Sequence, residues 1–332
     1  MRLVVIIPCL NEAATVGEVV RRIPRTIPRV GEVVPLVVDD GSTDETARVA
    51  REAGALVVSH PFRRGVGAAF QTGLREALRL RADIVANMDG DGQFHPEDLP
   101  TLLAPILEGR ADMATASRFR DPALVPRMPW IKKWGNRMIA RLLSGLIGRR
   151  FYDVSCGFRA YNRQAALHLN PVGRYTYTHE VFLDLAFKGF RIVEVPLRVE
   201  GERKFGKSRV AGSLWRYGTN AFGIIFRSYR DFQPLRFFGG LALCFYLPAA
   251  ALLAFFFGHY LLTGRFSGHL WAGFTGGALG FVGFGLTVVA IVADMLDRIR
   301  QNQDRILYEL KAQRYTQGPD ELPERLRRNG QG

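Results

Sequence analysis

Cysteine is scarce in this 332-residue chain. There are three, Cys9, Cys156 and Cys244, far apart and without metal-ligand spacing. A disulfide framework and a thiolate metal cluster are therefore excluded, which fits a reducing compartment. Acidic residues are outnumbered, 31 Asp and Glu against 45 Lys and Arg, for a formal net charge of +14. So basic a balance points to an anionic partner: nucleic acid, phosphorylated substrates or an acidic membrane surface. Nucleic acid is set aside, because no aromatic-basic sheet motif and no recognition helix is found. No signal peptide is expected at the start of this sequence. The apolar run in MRLVVIIPCLNE meets Asn and Glu at once, without a small-residue cleavage site, and reads as a first β-strand.

The largest gap is in charge. Phe237 to Gly264 carries no Asp, Glu, Lys or Arg, and Leu270 to Ala293 carries no ionisable side chain at all. About 20 apolar residues cross a bilayer core of roughly 30 Å as a helix, and soluble core helices of this length show a polar face. The link, Arg265 to His269, is short, so the two segments form a hairpin. Gly273, Gly276, Gly277 and Gly280 have small-xxx-small spacing, which permits close packing of the hairpin or of a homo-oligomer. Arg227, Arg230 and Arg236 precede the first span and Arg298, Arg300 and Arg305 follow the second, while the link holds only Arg265. The positive-inside rule then puts both termini in the cytoplasm.

Four domains are expected: a catalytic domain over 1–211, an amphipathic interface helix over 212–233, a transmembrane hairpin over 234–296 and a tail over 297–332, helical and then disordered. In the first domain short Val- and Ile-rich runs, Leu3 to Ile7, Val33 to Val38, Leu56 to Val58 and Ile84 to Met88, have the length of buried strands. Amphipathic segments, Ala13 to Ile23, Asp44 to Ala53 and Val66 to Leu80, separate them. Such alternation predicts an α/β fold, a mostly parallel sheet with helices on both faces. Thr43 or Asp44 is expected to cap the second helix.

Three strand ends carry polar clusters: Pro8-Cys9-Leu10-Asn11-Glu12, Asp39-Asp40-Gly41-Ser42-Thr43-Asp44 and Asp89-Gly90-Asp91-Gly92-Gln93. Parallel strands put these ends on one rim, where open α/β sheets bind ligands. Two carboxylates one residue apart can share a divalent cation, and Mg2+ and Mn2+ commonly bridge carboxylate and diphosphate. Asp39 and Asp40 can accept hydrogen bonds from a base or ribose.

The order P-x-L-N-E, V-D-D-G-S-T-D-x-T, M-D-G-D-G-Q-F-H-P-E resembles the family-2 glycosyltransferases of the GT-A fold, and among them the polyprenyl-phosphate glycosyltransferases. The resemblance runs from Leu3 to about Arg209. No Gln-x-x-Arg-Trp motif of the processive synthases is found, which favours transfer of one sugar. The resemblance implies that Pro8, Glu12 and Asp39 hold base and ribose, with Asn11, Asp40, Ser42 and Gly90 beside them. It implies that Asp89, Asp91 and Gln93 serve metal, Mg2+ or Mn2+, and diphosphate. Cys9 and Leu10 stand where the family often has an aromatic or another apolar residue.

On the acceptor side, Ser117-Arg118 resembles the family's Gly-Ser-Arg element with Ala116 in place of Gly, and Asp153 to Tyr161 resembles its D-x-x-C-G-F-R-A-Y. Lys132 lies in an amphipathic helix with Lys133 and Arg137, and Arg203 to Ser208, including Lys207, resembles a basic loop. Arg118, Lys132, Arg203, Lys207 and Ser208 are the expected partners of an acceptor phosphate, by Arg forks and Lys point charges. Asp153 is the expected general base, with orientation of Arg159 as its other role; His95 and His179 read as structural. The expected reaction is inverting transfer of one sugar from a nucleotide-diphosphate-sugar donor to a polyprenyl phosphate acceptor at the bilayer. The alternatives are a glycan or protein acceptor, and a non-enzymatic nucleotide-binding scaffold.

Overall fold

The computed structural model describes residues 1–126, 128, 130–170, 178–200, 223, 226–227, 229–266 and 268–316. The chain divides into two units, Met1–Ile224 with Leu307–Gly332, and Ile225–Ile306.

In the first unit the apolar runs form the expected strands: β1 (Arg2–Cys9), β2 (Glu32–Asp39), β3 (Leu56–Ser59) and β4 (Ile84–Asn87). Leu3 to Ile7 of β1 are buried on both faces, as a central parallel strand requires. Each such Val, Leu or Ile contributes roughly 1.5–3 kcal/mol by leaving water. Helices α1 (Val16–Arg22), α2 (Thr46–Glu52) and α3 (Val66–Arg79) connect the strands. Then follow α4 (Leu99–Leu107), β5 (Met113–Ser117), α5 (Trp130–Ile147), β6 (Arg159–Asn162), α6 (Arg163–His168), α7 (Thr178–Phe187) and β7 (Ile192–Pro196).

The sheet order is β3-β2-β1-β4-β6-β5-β7. All pairings are parallel except those of β6, which runs antiparallel to both β4 and β5. Because β6 is reversed, its entry and the exits of β1, β2, β4, β5 and β7 lie on the same edge. That geometry carries the loop before Arg159 to the rim formed by the strand ends. Pro8 pairs with Val38 of β2 at a height where β4 has already left the ladder, since Ile6 pairs with Asn87. A residue without an N–H is thus tolerated in a central strand.

The N-cap position of α2 falls to Glu45, which makes no side-chain capping bond, and neither expected residue holds it; Asp44, one residue earlier, accepts on Oδ1 from Thr46 N at 3.1 Å and from Thr46 Oγ1 at 2.5 Å. Thr43 instead bonds Asn11, its N–H and its hydroxyl donating to Asn11 Oδ1 at 2.8 and 3.4 Å.

The second unit holds α8 (Pro234–Thr263) and most of α9 (Leu270–Thr316). Both are long and apolar enough to cross a membrane, and only 11 % of the most apolar stretch of each is buried, so they are not core helices. Pro234 opens α8, and Gly264, left-handed at φ 67°, closes it, the usual division of labour between these residues. Glycines pack this hairpin. A methyl group on Gly273 would crowd Phe256, on Gly276 Leu253, and on Gly283 Tyr246, whereas Gly277 faces open space.

The helix α9 continues past the expected tail boundary at 297. Its last turns belong to the first unit. There Lys311 Nζ donates to the carbonyls of Leu167 and Leu169 at 3.3 and 2.8 Å, satisfying the open C-terminus of α6. Tyr308 stacks on His168 with ring centroids 4.1 Å apart. The chain beyond 316, expected to be disordered, and most of the expected interface helix lie outside the described residues.

Candidate active site

The expected convergence of three strand ends is present. Cys9 is buried at the exit of β1. Burial, and then the negative charges of Glu12, Asp39, Asp89 and Asp91, push its thiol well up. Burial and the charges that follow three strand ends thus act together on one thiol, which stays protonated. Hydrogen bonds join the three loops. Asn11, left-handed at φ 51°, donates its N–H to Ser42 Oγ at 2.9 Å, and Ser42 N donates to Asp39 Oδ1 at 3.0 Å. Thr15, a residue not expected from sequence, donates its hydroxyl to Gly90 O at 2.7 Å. The Cys9 side chain packs against Gly90.

Two glycines keep the carboxylates at this rim. A methyl group on Gly90 would collide with Cys9 Sγ, and one on Gly157 would come to 3.3 Å from Asp89 Oδ2. Gly90→Ala should therefore cost about 1–3 kcal/mol by overpacking. The double variant Gly90→Ala with Cys9→Ala should recover most of that loss in apparent Tm. If the double variant were no more stable than Gly90→Ala alone, the contact with Cys9 would not be the cause.

Asp91 is buried and its Oδ1 accepts from Gln93 N at 3.0 Å, while Asp89 is half-buried. Gln93 donates its side-chain amide to Glu200 O at 3.2 Å, so it ties the acidic turn to the segment leading into the basic loop. Among the described residues no group of three or more His, Cys, Asp or Glu could hold a metal by itself. Asp89 and Asp91 offer hard oxygen donors of the kind that leave most of a Mg2+ or Mn2+ shell to substrate phosphates and water.

Asp40 is a correction. It was expected at the donor, but its carboxylate is buried and accepts from Arg64 N at 2.9 Å and Gly65 N at 2.8 Å, with His60 Nδ1 at 2.8 Å. It fixes the loop that opens α3.

At the exit of β5, Arg118 grips Asp153 by a two-pronged pair: Nε to Oδ2 at 2.6 Å and Nη2 to Oδ1 at 2.9 Å. The Arg118 side chain is 18 % exposed and that of Asp153 is 0 %. Burial alone would push the Asp153 carboxyl up; the Arg118 charge and its hydrogen bonds outweigh that and hold it below the usual carboxylate range. A group so held is a poor general base. It does not orient Arg159 either: Arg159 is buried and donates to the carbonyls of Cys156, Val154 and Thr178. Asp153 orients Arg118.

Beneath this pair lies Glu194 of β7. Its carboxylate accepts from Ser117 Oγ at 2.9 Å, from Asp153 N at 2.7 Å and from Tyr152 N at 3.0 Å. It joins the segment bearing Arg118 to the one bearing Asp153. Its sequence signal was a lone acid in the otherwise apolar strand Ile192 to Pro196.

Of the other expected acceptor residues, Lys132 falls in α5 with its side chain outside the described residues, as are Arg203, Lys207 and Ser208. His95 is half-buried, with Nε2 3.3 Å from Glu200 Oε1. His179 is buried, and burial, then the Arg159 charge, push it down to about 4. The unfolded chain, with a histidine near pH 6.5, binds this proton first, so stability should fall as pH drops from about 6.5 toward 4. The full effect is about 3 kcal/mol. His179→Gln should flatten that part of the Tm-against-pH curve; an unchanged slope would rule His179 out as its source.

Comparison with known proteins places this geometry. Residues 4–169 match Glycosyl transferase family 2. A polyprenol monophosphomannose synthase of Mycolicibacterium smegmatis is 33% identical over 224 residues, covering 64% of this chain and 82% of that protein. An undecaprenyl-phosphate mannosyltransferase of Micrococcus luteus is 32% identical over 232 residues, covering 64% and 89%. Among solved structures, glucosyl-3-phosphoglycerate synthase of Mycobacterium tuberculosis in complex with Mn2+, uridine diphosphate and glucosyl-3-phosphoglycerate superposes with a TM-score of 0.54 at 25% identity, covering 68% of this chain and 79% of that one.

Proposed function

This chain belongs to Glycosyl transferase family 2 and is a glycosyltransferase, and from that premise we propose that it transfers one sugar, with inversion, from a nucleoside-diphosphate sugar to a polyprenyl phosphate at the cytoplasmic face of a membrane. The observation that carries this reading is a single rim. Glu12, Asp39, Asp89 and Asp91 stand at or just after the ends of three adjacent parallel strands, β2, β1 and β4, the Arg118–Asp153 pair stands at the exit of β5, and the same chain has two helices of membrane-spanning length. The named relatives act on polyprenyl phosphates, which supports that acceptor class. The positive residues flanking the hairpin support the cytoplasmic face.

Asp89 and Asp91 would hold a divalent cation, Mg2+ or Mn2+, which supplies Lewis-acid neutralisation of the departing diphosphate. Pro8, Glu12 and Asp39 line the nucleoside side. Asn11, Ser42 and Thr15 hold the loops that present these groups. A lipid phosphate is anionic at neutral pH, so the nucleophile needs positioning and not deprotonation. A guanidinium pre-oriented by Asp153 suits that task. Arg203, Lys207 and Ser208 would complete the phosphate's surroundings.

The test incubates purified protein in detergent with polyprenyl phosphate, Mn2+ or Mg2+ and a panel of nucleotide sugars. Metal-dependent glycolipid is the expected product. Sugar on glycan or protein but not on lipid would move the acceptor to the alternative class, and no transfer to polyprenyl phosphate with any donor would overturn the proposed reaction.

A further inference from the structure

One acid interrupts the apolar strand β7, Ile192-Val193-Glu194-Val195-Pro196, and it is only 6 % exposed. A buried carboxylate is costly unless it is hydrogen-bonded. Glu194 is satisfied by one hydroxyl and two peptide N–H groups. Its Oε1 accepts from Ser117 Oγ at 2.9 Å, from Asp153 N at 2.7 Å and from Tyr152 N at 3.1 Å, while Oε2 accepts from Tyr152 N at 3.0 Å. Its main-chain carbonyl takes the Arg120 guanidinium, through Nη1.

These contacts lie next to both members of the Arg118–Asp153 pair. Ser117 and Arg120 flank Arg118 in the chain. Asp153 gives its N–H to Glu194, while its carboxylate takes Arg118 Nε at 2.6 Å and Arg118 N at 3.1 Å. Two side chains joined only to each other could drift together along the rim. With Glu194 bonded to both supporting segments, the pair has one position.

We propose that Glu194 is a positioning residue, which brackets the segments bearing Arg118 and Asp153 and so fixes where the Arg118 guanidinium meets the acceptor phosphate. It acts by geometry, as an acceptor of the right length, and not by its charge. A misplacement of about 1 Å can cost about 10²-fold in a reaction, so a residue behind the pair can govern acceptor use without touching the acceptor. An apolar side chain at 194 would avoid the desolvation of a carboxylate but leave three donors unpaired. The inference rests on the proposed acceptor role of Arg118.

Oε1 takes a bond from each of the three donors, so geometry and charge can be separated. Glu194→Gln keeps the length and an oxygen at the Oε1 place but loses the charge. Glu194→Asp keeps the charge but withdraws the carboxylate by about 1.5 Å, which breaks bonds of this length. With full-length protein in detergent, Glu194→Asp should raise KM for polyprenyl phosphate at least about tenfold and leave donor KM unchanged. Glu194→Gln should stay within about threefold of wild type. Ser117→Ala, a milder change that removes one bond of the bracket, should raise acceptor KM at least about twofold. The reverse order, with Gln impaired and Asp normal, would show an electrostatic role and overturn the proposal. A lower kcat with both KM values unchanged would overturn it as well, since loss of folded protein alone has that effect.

A second readout needs no turnover. The Arg118 Nε–H resonance, assigned by its absence in Arg118→Lys, should shift in Glu194→Asp and hold its place in Glu194→Gln. One unchanged resonance in wild type and both variants would overturn the bracket. Absence of glycolipid from wild type with every donor would discard the proposed reaction, while the resonance would still decide the bracket.

Discussion

Asp91→Ala is expected to lower glycolipid formation at least about 1000-fold while leaving the fold intact. One preorganised charge at a transition state is worth about 10²–10³ in rate, and loss of a metal's grip on a leaving diphosphate adds several kcal/mol. The stability change is small because two effects oppose. The variant loses the hydrogen bond from Gln93 N, about 1 kcal/mol net. It also relieves repulsion among Glu12, Asp39, Asp89 and Asp91, whose charges jointly raise the Cys9 thiol. Added Mn2+ should not rescue the variant, since alanine supplies no ligand atom. Turnover at the wild-type rate would remove the assigned metal role, and a large fall in Tm would show that Asp91 serves the fold first.

Breaking the Arg118–Asp153 pair is the second large effect. With Arg118→Ala, the Asp153 carboxylate, whose side chain is 0 % exposed, is left buried without its cation, at about 3–5 kcal/mol. Acceptor KM should rise at least about tenfold, because the positive charge that faces the phosphate is lost. Arg118→Lys should restore little, as an ammonium cannot reproduce the fork. The double variant Arg118→Ala with Asp153→Ala should be more stable than Arg118→Ala alone. Additive losses would contradict the coupling. The pH dependence has a definite sign. Asp153 is held below its ordinary value when folded, so its contribution is present above about pH 3.9 and disappears as pH falls through the folded value. Asp153→Asn should remove that acid-side loss.

Much of the catalytic rim could be read in the linear chain because its signals are local. Leu3 to Ile7 and Ile84 to Met88 are apolar runs of strand length, and acidic turns follow them at once. Any parallel arrangement of such strands brings the turns together. The reversed strand β6 had no such signal, since an antiparallel insertion leaves the apolar pattern of Arg159–Asn162 unchanged. Asp39 and Asp40 look equivalent in sequence. In the fold Asp39 accepts from Ser42 N at the rim, and Asp40 turns to the loop that opens α3. Asp39 is the last residue of β2 and Asp40 lies just past it, so only the packed neighbours decide where each carboxylate goes.

By itself, then, the sequence determined the strand–helix alternation, the acidic turns at strand ends and the two long apolar helices. Each depends on periodicity or composition within about 20 residues. The tertiary structure decided which donors meet which acceptors: Arg118 with Asp153, 35 positions apart, Thr15 with Gly90, 75 apart, and Ser117 with Glu194, 77 apart. Those separations are closed by sheet order and register. Buried polar groups must find partners wherever the folded chain presents them, and spacing along the chain does not encode that choice.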